Sequence, residues 1–297
     1  MKTSTACLLL LPVTLIWGAH FAVVKHALAT VDPMAFGLAR FGLAALLLFA
    51  LTRVREGSVG LDRRDWGAML WLGIAGSLSQ VFWLYGLSYT TSGKTALLMA
   101  TSPTFVALLR AAAGERLGWR AALGFVAALA GVALIVDAGA VGAGPLAGDL
   151  LVLAAAAGWG LYTNGGPRLL RRYSALRVTA YVFALTAAVM AVPGLGLLAA
   201  TPRAGLGAGV WGGLAYSALL AGGLAWVLWY RGVNSLGPVR VMLYQYLVPL
   251  VALAISLAVL REPFRWAQGL GAVLVLAGTL AARLSLPAGA PGKTTAN

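Results

Sequence analysis

Residues 6–28 read ACLLLLPVTLIWGAHFAVVKHAL, and the only charge in that run is Lys25, close to its end. At 1.5 Å of rise per residue the segment is long enough to cross about 30 Å of hydrocarbon as a helix. It is too long for the apolar core of a signal peptide, and no clear small-residue cleavage site precedes the similar runs that follow. It therefore reads as a retained membrane span.

Working outward, comparable windows recur along the whole chain. They run Ala6–Leu28, Met34–Leu51, Gly67–Tyr89, Thr95–Ala112, Ala121–Val136, Leu150–Leu170, Val178–Ala200, Val210–Tyr230, Val239–Leu260 and Ala267–Ala282. The reading is an all-α integral membrane protein with ten transmembrane helices. Composition agrees: 61% of the 297 residues are hydrophobic and 10% charged, with a mean hydropathy of +0.88. A soluble globule has too few apolar interior sites for such a chain. The single cysteine, Cys7, excludes an intrachain disulfide.

The formal charge of +14 does not point to nucleic acid, because the basic residues are scattered in ones, twos and threes between apolar runs. Topology explains them. With the N-terminus inside, 16 of the 22 lysines and arginines fall on cytoplasmic segments, which places both termini in the cytoplasm of a cell inner membrane. Residues 286–297 read as a disordered cytoplasmic tail. The expected partners are a small-molecule substrate and the lipid bilayer, in a monomer that carries no cofactor, no metal and no nucleic acid.

The halves repeat. Trp17-Gly18 and Trp159-Gly160 stand 159 − 17 = 142 residues apart, Pro103 and Pro249 stand 146 apart, and Glu115 and Glu262 stand 147 apart. Trp119 matches Trp266, and Leu129-Ala130-Gly131 matches Leu276-Ala277-Gly278. Residues 1–140 and 141–285 then form two blocks of five spans. An odd span number turns the second block upside down, giving two inverted five-helix repeats around a central cavity, an arrangement associated with secondary transporters.

On these residues the chain resembles the drug/metabolite transporter superfamily, specifically its ten-helix members built from two EamA-type repeats. The resemblance rests on Trp17-Gly18-Ala19-His20-Phe21, Arg40-Phe41, the stretch from Ser92 to Glu115 with Pro103, and the counterparts Trp159, Pro249, Glu262 and Gly278. It implies a monomeric exporter of amino acids or related metabolites, most like bacterial aromatic amino-acid exporters. Lys94 departs from the family's usual small or uncharged residue.

Most of the ten tryptophans read as interfacial belt residues, with Trp66, Trp71, Trp119 and Trp229 at the inner side and Trp83, Trp211 and Trp266 at the outer. Trp17 and Trp159 lie roughly 15 Å in by helical rise and should line the cavity. His20 and Tyr162 follow each tryptophan by three residues and share its face. Gln80, Tyr244 and Gln245 are polar side chains that lipid penalises. With Met99, these are the candidate substrate-binding residues. Asn164-Gly165-Gly166-Pro167 should kink or break the sixth span, and Pro103 and Pro249 should bend the fourth and ninth, so Pro103, Pro249, Gly165 and Gly166 are candidate hinges.

All eight acidic residues fall in loops or at span ends, which leaves no mid-depth carboxylate for an antiport relay. Glu115 and Glu262, each near arginines, read as structural or gating ion pairs, and Arg40 as a structural charge. The cavity should be neutral and aromatic, suited to zwitterions carried by alternating access. Efflux of lipophilic cations is an alternative, although a membrane-embedded glutamate is missing. A lipid enzyme is a further one, although only His20 and His26 are present and no carboxylate cluster joins them.

Overall fold

The computed structural model describes residues 3–102, 104–105, 119–137, 146–202, 206–236, 241, 244–245, 247–262 and 264–284. Pro103, Glu115 and the tail 286–297 lie outside the described residues. Among the described residues every regular element is a helix. In chain order these are α1 (Thr3–Ala27), α2 (Pro33–Glu56), a 3-10 turn (Arg63–Asp65), α3 (Trp66–Tyr89), α4 (Ser92–Met99), α5 (Trp119–Asp137), α6 (Leu146–Leu170) and α7 (Ala175–Ala200). Then come α8 (Ala208–Ala215), a π-helical segment (Tyr216–Leu224), α9 (Ala225–Leu236), α10 (Leu247–Ala258) and α11 (Trp266–Leu284).

Among the described residues, six stretches are long and apolar enough to cross a bilayer: Leu10–Ala27, Pro33–Glu56, Arg63–Tyr89, Leu146–Leu170, Ala175–Ala200 and Ala208–Leu236. Shorter apolar stretches occupy Val126–Ile135, Leu247–Ala258 and Trp266–Gly278. With no water in hydrocarbon, the helix satisfies the backbone internally while side chains such as Leu46 and Val192 point outward to lipid.

Local chemistry sets the ends. Asp32 caps α2, its Oδ1 accepting from the backbone N–H of Met34 at 2.7 Å and of Ala35 at 3.4 Å. Pro33 supplies the preset φ of the first turn, and Gly57, at φ +70, closes the helix in the left-handed region. Thr91 caps α4 through Lys94 N–H and Ser174 caps α7 through Arg177 N–H.

The expected break at Asn164–Pro167 does not occur: α6 runs unbroken from Leu146 to Leu170. Pro167 sits close enough to the helix end that few turns depend on it. The two glycines serve close approach, since a Cβ on Gly165 would fall 2.2 Å from the Trp71 ring and one on Gly166 would fall 2.8 Å from Tyr230.

Helix pairs approach backbone to backbone and run antiparallel. A Cβ on Gly37 of α2 would meet Met190 of α7, and one on Gly194 of α7 would meet Met34 of α2, so one index falls as the other rises. The tightest pair is α5 with α11. A Cβ on Gly131 would lie 2.5 Å from the Gly271 carbonyl oxygen, and one on Gly278 would lie 2.5 Å from that of Gly124. The contact is reciprocal, because 278 − 131 and 271 − 124 are both 147. Small residues allow such contact where lipid removes the hydrophobic drive for association. Gly271→Val is expected to cost about 3 kcal/mol, the upper end of overpacking penalties, because the obstacle is backbone rather than a movable side chain. Denaturation in mixed micelles checks it; a change under about 0.5 kcal/mol would show that the pair separates freely.

Candidate functional site

A cavity of about 70 Å³ lies among α1, α2, α3, α6, α9 and the residues around α4 and α10, room for roughly five water molecules. Its aromatic wall is made by Trp17, Phe21, Trp83, Trp159 and Trp226. Trp17 and Trp159 meet edge to face with ring centroids 5.5 Å apart, and both pack on Trp229, at 5.1 and 5.9 Å. Such pairs hold one another rigidly, each adding about 1 kcal/mol beyond its buried area.

The polar side is built on Arg40. This side chain is 2% exposed, and its Nη1 lies 3.3 Å from His20 Nε2 while Nη2 donates to Gln80 Oε1 at 3.2 Å. The guanidinium also stands 4.3 Å over the Phe41 ring and 5.5 Å from the Trp83 ring centre. Arginine has donors only, so His20 Nε2 accepts and the ring proton is assigned to Nδ1. Ser217 Oγ, 3.0 Å from the same nitrogen, then donates as well. Among the described residues no carboxylate pairs with Arg40, and its neutral partners leave a full positive charge in the cavity wall.

Two further wall groups, Trp159 Nε1 and Gln245 Oε1, are buried without a hydrogen-bond partner among the described residues. A buried polar group left unpaired is costly, about 1–3 kcal/mol. The cavity thus presents a cation and an indole N–H as donors, and an amide oxygen as acceptor. The π-helical segment supports this wall from behind, its Ala221 carbonyl accepting Trp17 Nε1 at 3.0 Å and its Ser217 reaching His20. Insertions of this kind recur at functional sites because they displace carbonyls from the helix ladder.

Of the candidate binding residues, Trp17, His20, Gln80, Met99, Trp159 and Gln245 converge on the one cavity, and the proposed hinge Pro249 lines it too. Tyr162 is fully buried one layer behind, stacked on Trp159 at 5.3 Å, and Tyr244 is half-buried outside the cavity lining. Trp83 and Trp229 are not belt residues. Trp83 is buried and stacks on His20 at 5.3 Å, and Trp229 is buried against Trp17. Depth along a helix does not reveal which face points inward, and here the inward face won. Trp226, part of a Trp-x-x-Trp pair with Trp229 on one helical face, was the missed signal. The expected neutral lining is replaced by one that carries Arg40.

Beyond Met99 and Ala100, the Lys94 end of the bundle is closed by buried polar contacts. Lys94 Nζ pairs with Asp149 Oδ2 at 2.7 Å, with the two side chains 2% and 3% exposed. Lys25 Nζ donates to the carbonyls of Leu87 and Ser88 at 3.0 and 3.1 Å, so it is tied to protein. Glu262 forms no ion pair with its neighbouring arginines. Its carboxylate instead accepts from the N–H groups of Ser92 and Gly93 at 2.9 and 3.1 Å, and from the Ser92 and Ser256 hydroxyls. The free N–H groups of a helix start, with their positive dipole end, compete better for the carboxylate than solvated arginines do. Arg261, at φ +51, makes the tight turn that brings Glu262 back to α4.

At the opposite end, Arg172 bridges Asp62 and Asp65 at 2.7 and 2.5 Å, and Arg177 pairs with Glu56 at 2.8 Å. These contacts tie the α2–α3 loop to the α6–α7 loop. Among the described residues no group of three His, Cys, Asp or Glu side chains could hold a metal.

Comparison with known proteins places this architecture. A transporter of Bacillus subtilis, YyaM, whose role is uncharacterised, is 29% identical, the match covering 95% of this chain and 94% of that one. A protein of Streptantibioticus cattleyicolor named as a probable terminal-alkyne amino-acid exporter is 30% identical, with 94% of each chain covered. One solved crystal structure superposes with a TM-score of 0.66 over 95% of this chain and 97% of its own, at 21% identity, which establishes a shared fold. The EamA-like transporter family matches residues 4–137 and again 146–284, so the chain, a membrane protein, belongs to the EamA-like transporter family.

Proposed function

We propose that this transporter exports amino acids or closely related carboxylate-bearing metabolites across the cell inner membrane. It works by alternating access between two inverted five-helix halves, residues 1–140 and 141–285, with both termini in the cytoplasm. The observation that carries the substrate class is Arg40, a buried cation in the cavity wall with no carboxylate partner among the described residues. A substrate carboxylate would supply the missing charge through a bidentate contact. Trp159 Nε1 would add a donor to the same carboxylate, Gln245 Oε1 would accept from the ammonium group, and the tryptophan walls would take an apolar side chain.

Support for inverted halves comes from the reciprocal, antiparallel contact of Gly131 with Gly271 and Gly278 with Gly124, since pairing of i with j′ and i′ with j is what a two-fold axis produces. The two family matches divide the chain near the same point. The relative named as an amino-acid exporter supports the substrate class. The Lys94–Asp149 pair and the Glu262 cap close one end, which under this topology is the outer one.

Counterflow in proteoliposomes tests the reading. Labelled phenylalanine is expected to exchange, while phenethylamine, which keeps the ring and ammonium but lacks the carboxylate, should exchange at least tenfold more slowly. Equal or faster exchange of the amine would remove the carboxylate role of Arg40 and favour the lipophilic-cation alternative.

A further inference from the structure

A second cavity lies on the side of the bundle, between the last turns of α2 and the span formed by the π-helical segment and α9. At about 420 Å³ it is larger than the central one. Its walls are apolar, with Leu47, Leu51, Leu219 and Leu224 exposed along it. Two arginines, Arg55 and Arg231, stand at its rim, and among the described residues no hydrogen bond or ion pair engages either. The one carboxylate at the rim among the described residues, Glu56, is already neutralised by Arg177 at 2.8 Å and bonded to Ser174 at 2.5 Å. The rim therefore carries uncompensated positive charge above an oily groove.

We propose that this groove is a specific site for an anionic phospholipid, one acyl chain lying against the leucines and the headgroup phosphate held by Arg55 and Arg231. Basic pockets between spans at the cytoplasmic face select acidic headgroups, each arginine contributing about tenfold or less in affinity. A zwitterionic lipid meets the same apolar wall but brings its own cation to the arginines. The occupant would also touch the back of the central site. Ala218, Leu219, Gly223 and Leu224 face the groove, while Ser217 and Ala221 of the same π-helical segment hold His20 and Trp17 in the cavity wall. Because these groove-facing residues share one π-helical segment with the groups that hold His20 and Trp17, lipid in the groove would steady that wall.

The test is delipidated, detergent-purified full-length protein titrated with phosphatidylglycerol or phosphatidylcholine of identical acyl chains, read by native mass spectrometry and thermal shift. Phosphatidylglycerol is expected to bind at least tenfold more tightly than phosphatidylcholine and to raise the melting temperature. Arg55→Gln/Arg231→Gln should weaken phosphatidylglycerol about thirtyfold while leaving phosphatidylcholine unchanged. Leu219→Trp, which fills the groove and keeps both arginines, should weaken both lipids. Equal affinity for the two headgroups, an undiminished phosphatidylglycerol effect in the double variant, or the same stabilisation by inorganic phosphate alone would each overturn the proposal. None of these readouts depends on the transported solute, so failure here leaves the substrate reading standing.

Discussion

Lys94→Met is expected to destabilise the protein by about 3–5 kcal/mol, the cost of stripping the partner from a buried charge. The Lys94 and Asp149 side chains are 2% and 3% exposed, and they meet at 2.7 Å. Among the described residues Asp149 Oδ1 already lacks a partner, so removing the ammonium takes away the contact that Oδ2 makes. Asp149→Leu alone should also be destabilising, because it removes the carboxylate that Lys94 Nζ meets at 2.7 Å. The double variant Lys94→Met/Asp149→Leu should recover most of the loss, because two apolar side chains of similar volume need no compensation there. Unfolding by sodium dodecyl sulfate in mixed micelles gives all four corners of the cycle. A coupling energy near zero, with the double variant simply the sum of the singles, would show that the pair does not act as a unit.

The pair also has a mechanical meaning. Lys94 is on the first turn of α4 and Asp149 on the first turn of α6, and Ala96 and Met99, further along α4, line the central cavity. Glu262 holds the same α4 terminus to the segment after α10. Opening the cavity toward this end means parting contacts that are costly to leave unmade, so the closed end is a well-defined state and not a loose one.

The bundle was legible in the sequence because membrane insertion imposes a strong one-dimensional signal. Long apolar windows bounded by arginines are required by lipid itself, whatever the tertiary packing. The place of Trp17 and Trp159 in the cavity wall follows from depth: two tryptophans far from any belt must have a packing or cavity role. What the sequence hides is azimuth and partnership. Trp83 sits at a belt-like depth, yet its face turns toward His20. Asp149 lies at a helix start, where an acidic residue is ordinarily solvated, yet α4 brings Lys94 over it. Glu262 is flanked by Arg261 and Arg265 in sequence but finds the α4 N-terminus in space. In each case the deciding neighbour is at least 55 residues away along the chain, beyond any periodicity argument. Arg40 belongs here too. Depth alone gives a structural charge, and only the absence of a carboxylate around it among the described residues, visible once α1 and α3 are in place, makes it a candidate for binding.

Arg40→Met is expected to abolish exchange of amino acids, by about a hundredfold or more, while the empty protein stays as stable as the parent or becomes more so. The two effects have one cause. A buried guanidinium held by His20, Gln80 and aromatic faces carries a desolvation cost that those neutral partners offset only in part. Methionine removes that cost, at the lesser loss of a partner for Gln80, since Ser217 still donates to His20. The same substitution removes the charge that a substrate carboxylate would meet, and losing one member of a buried, hydrogen-bonded charge pair costs about 2–5 kcal/mol of binding. Arg40→Lys should be nearly as inactive in spite of its charge, because a single ammonium cannot reach His20 and Gln80 and also present a two-pronged donor to a carboxylate. Thermal shift without ligand, and counterflow of labelled phenylalanine, read the two effects separately. A variant that is both unstable and active would make Arg40 a structural cation, and the carboxylate would then have to be met elsewhere.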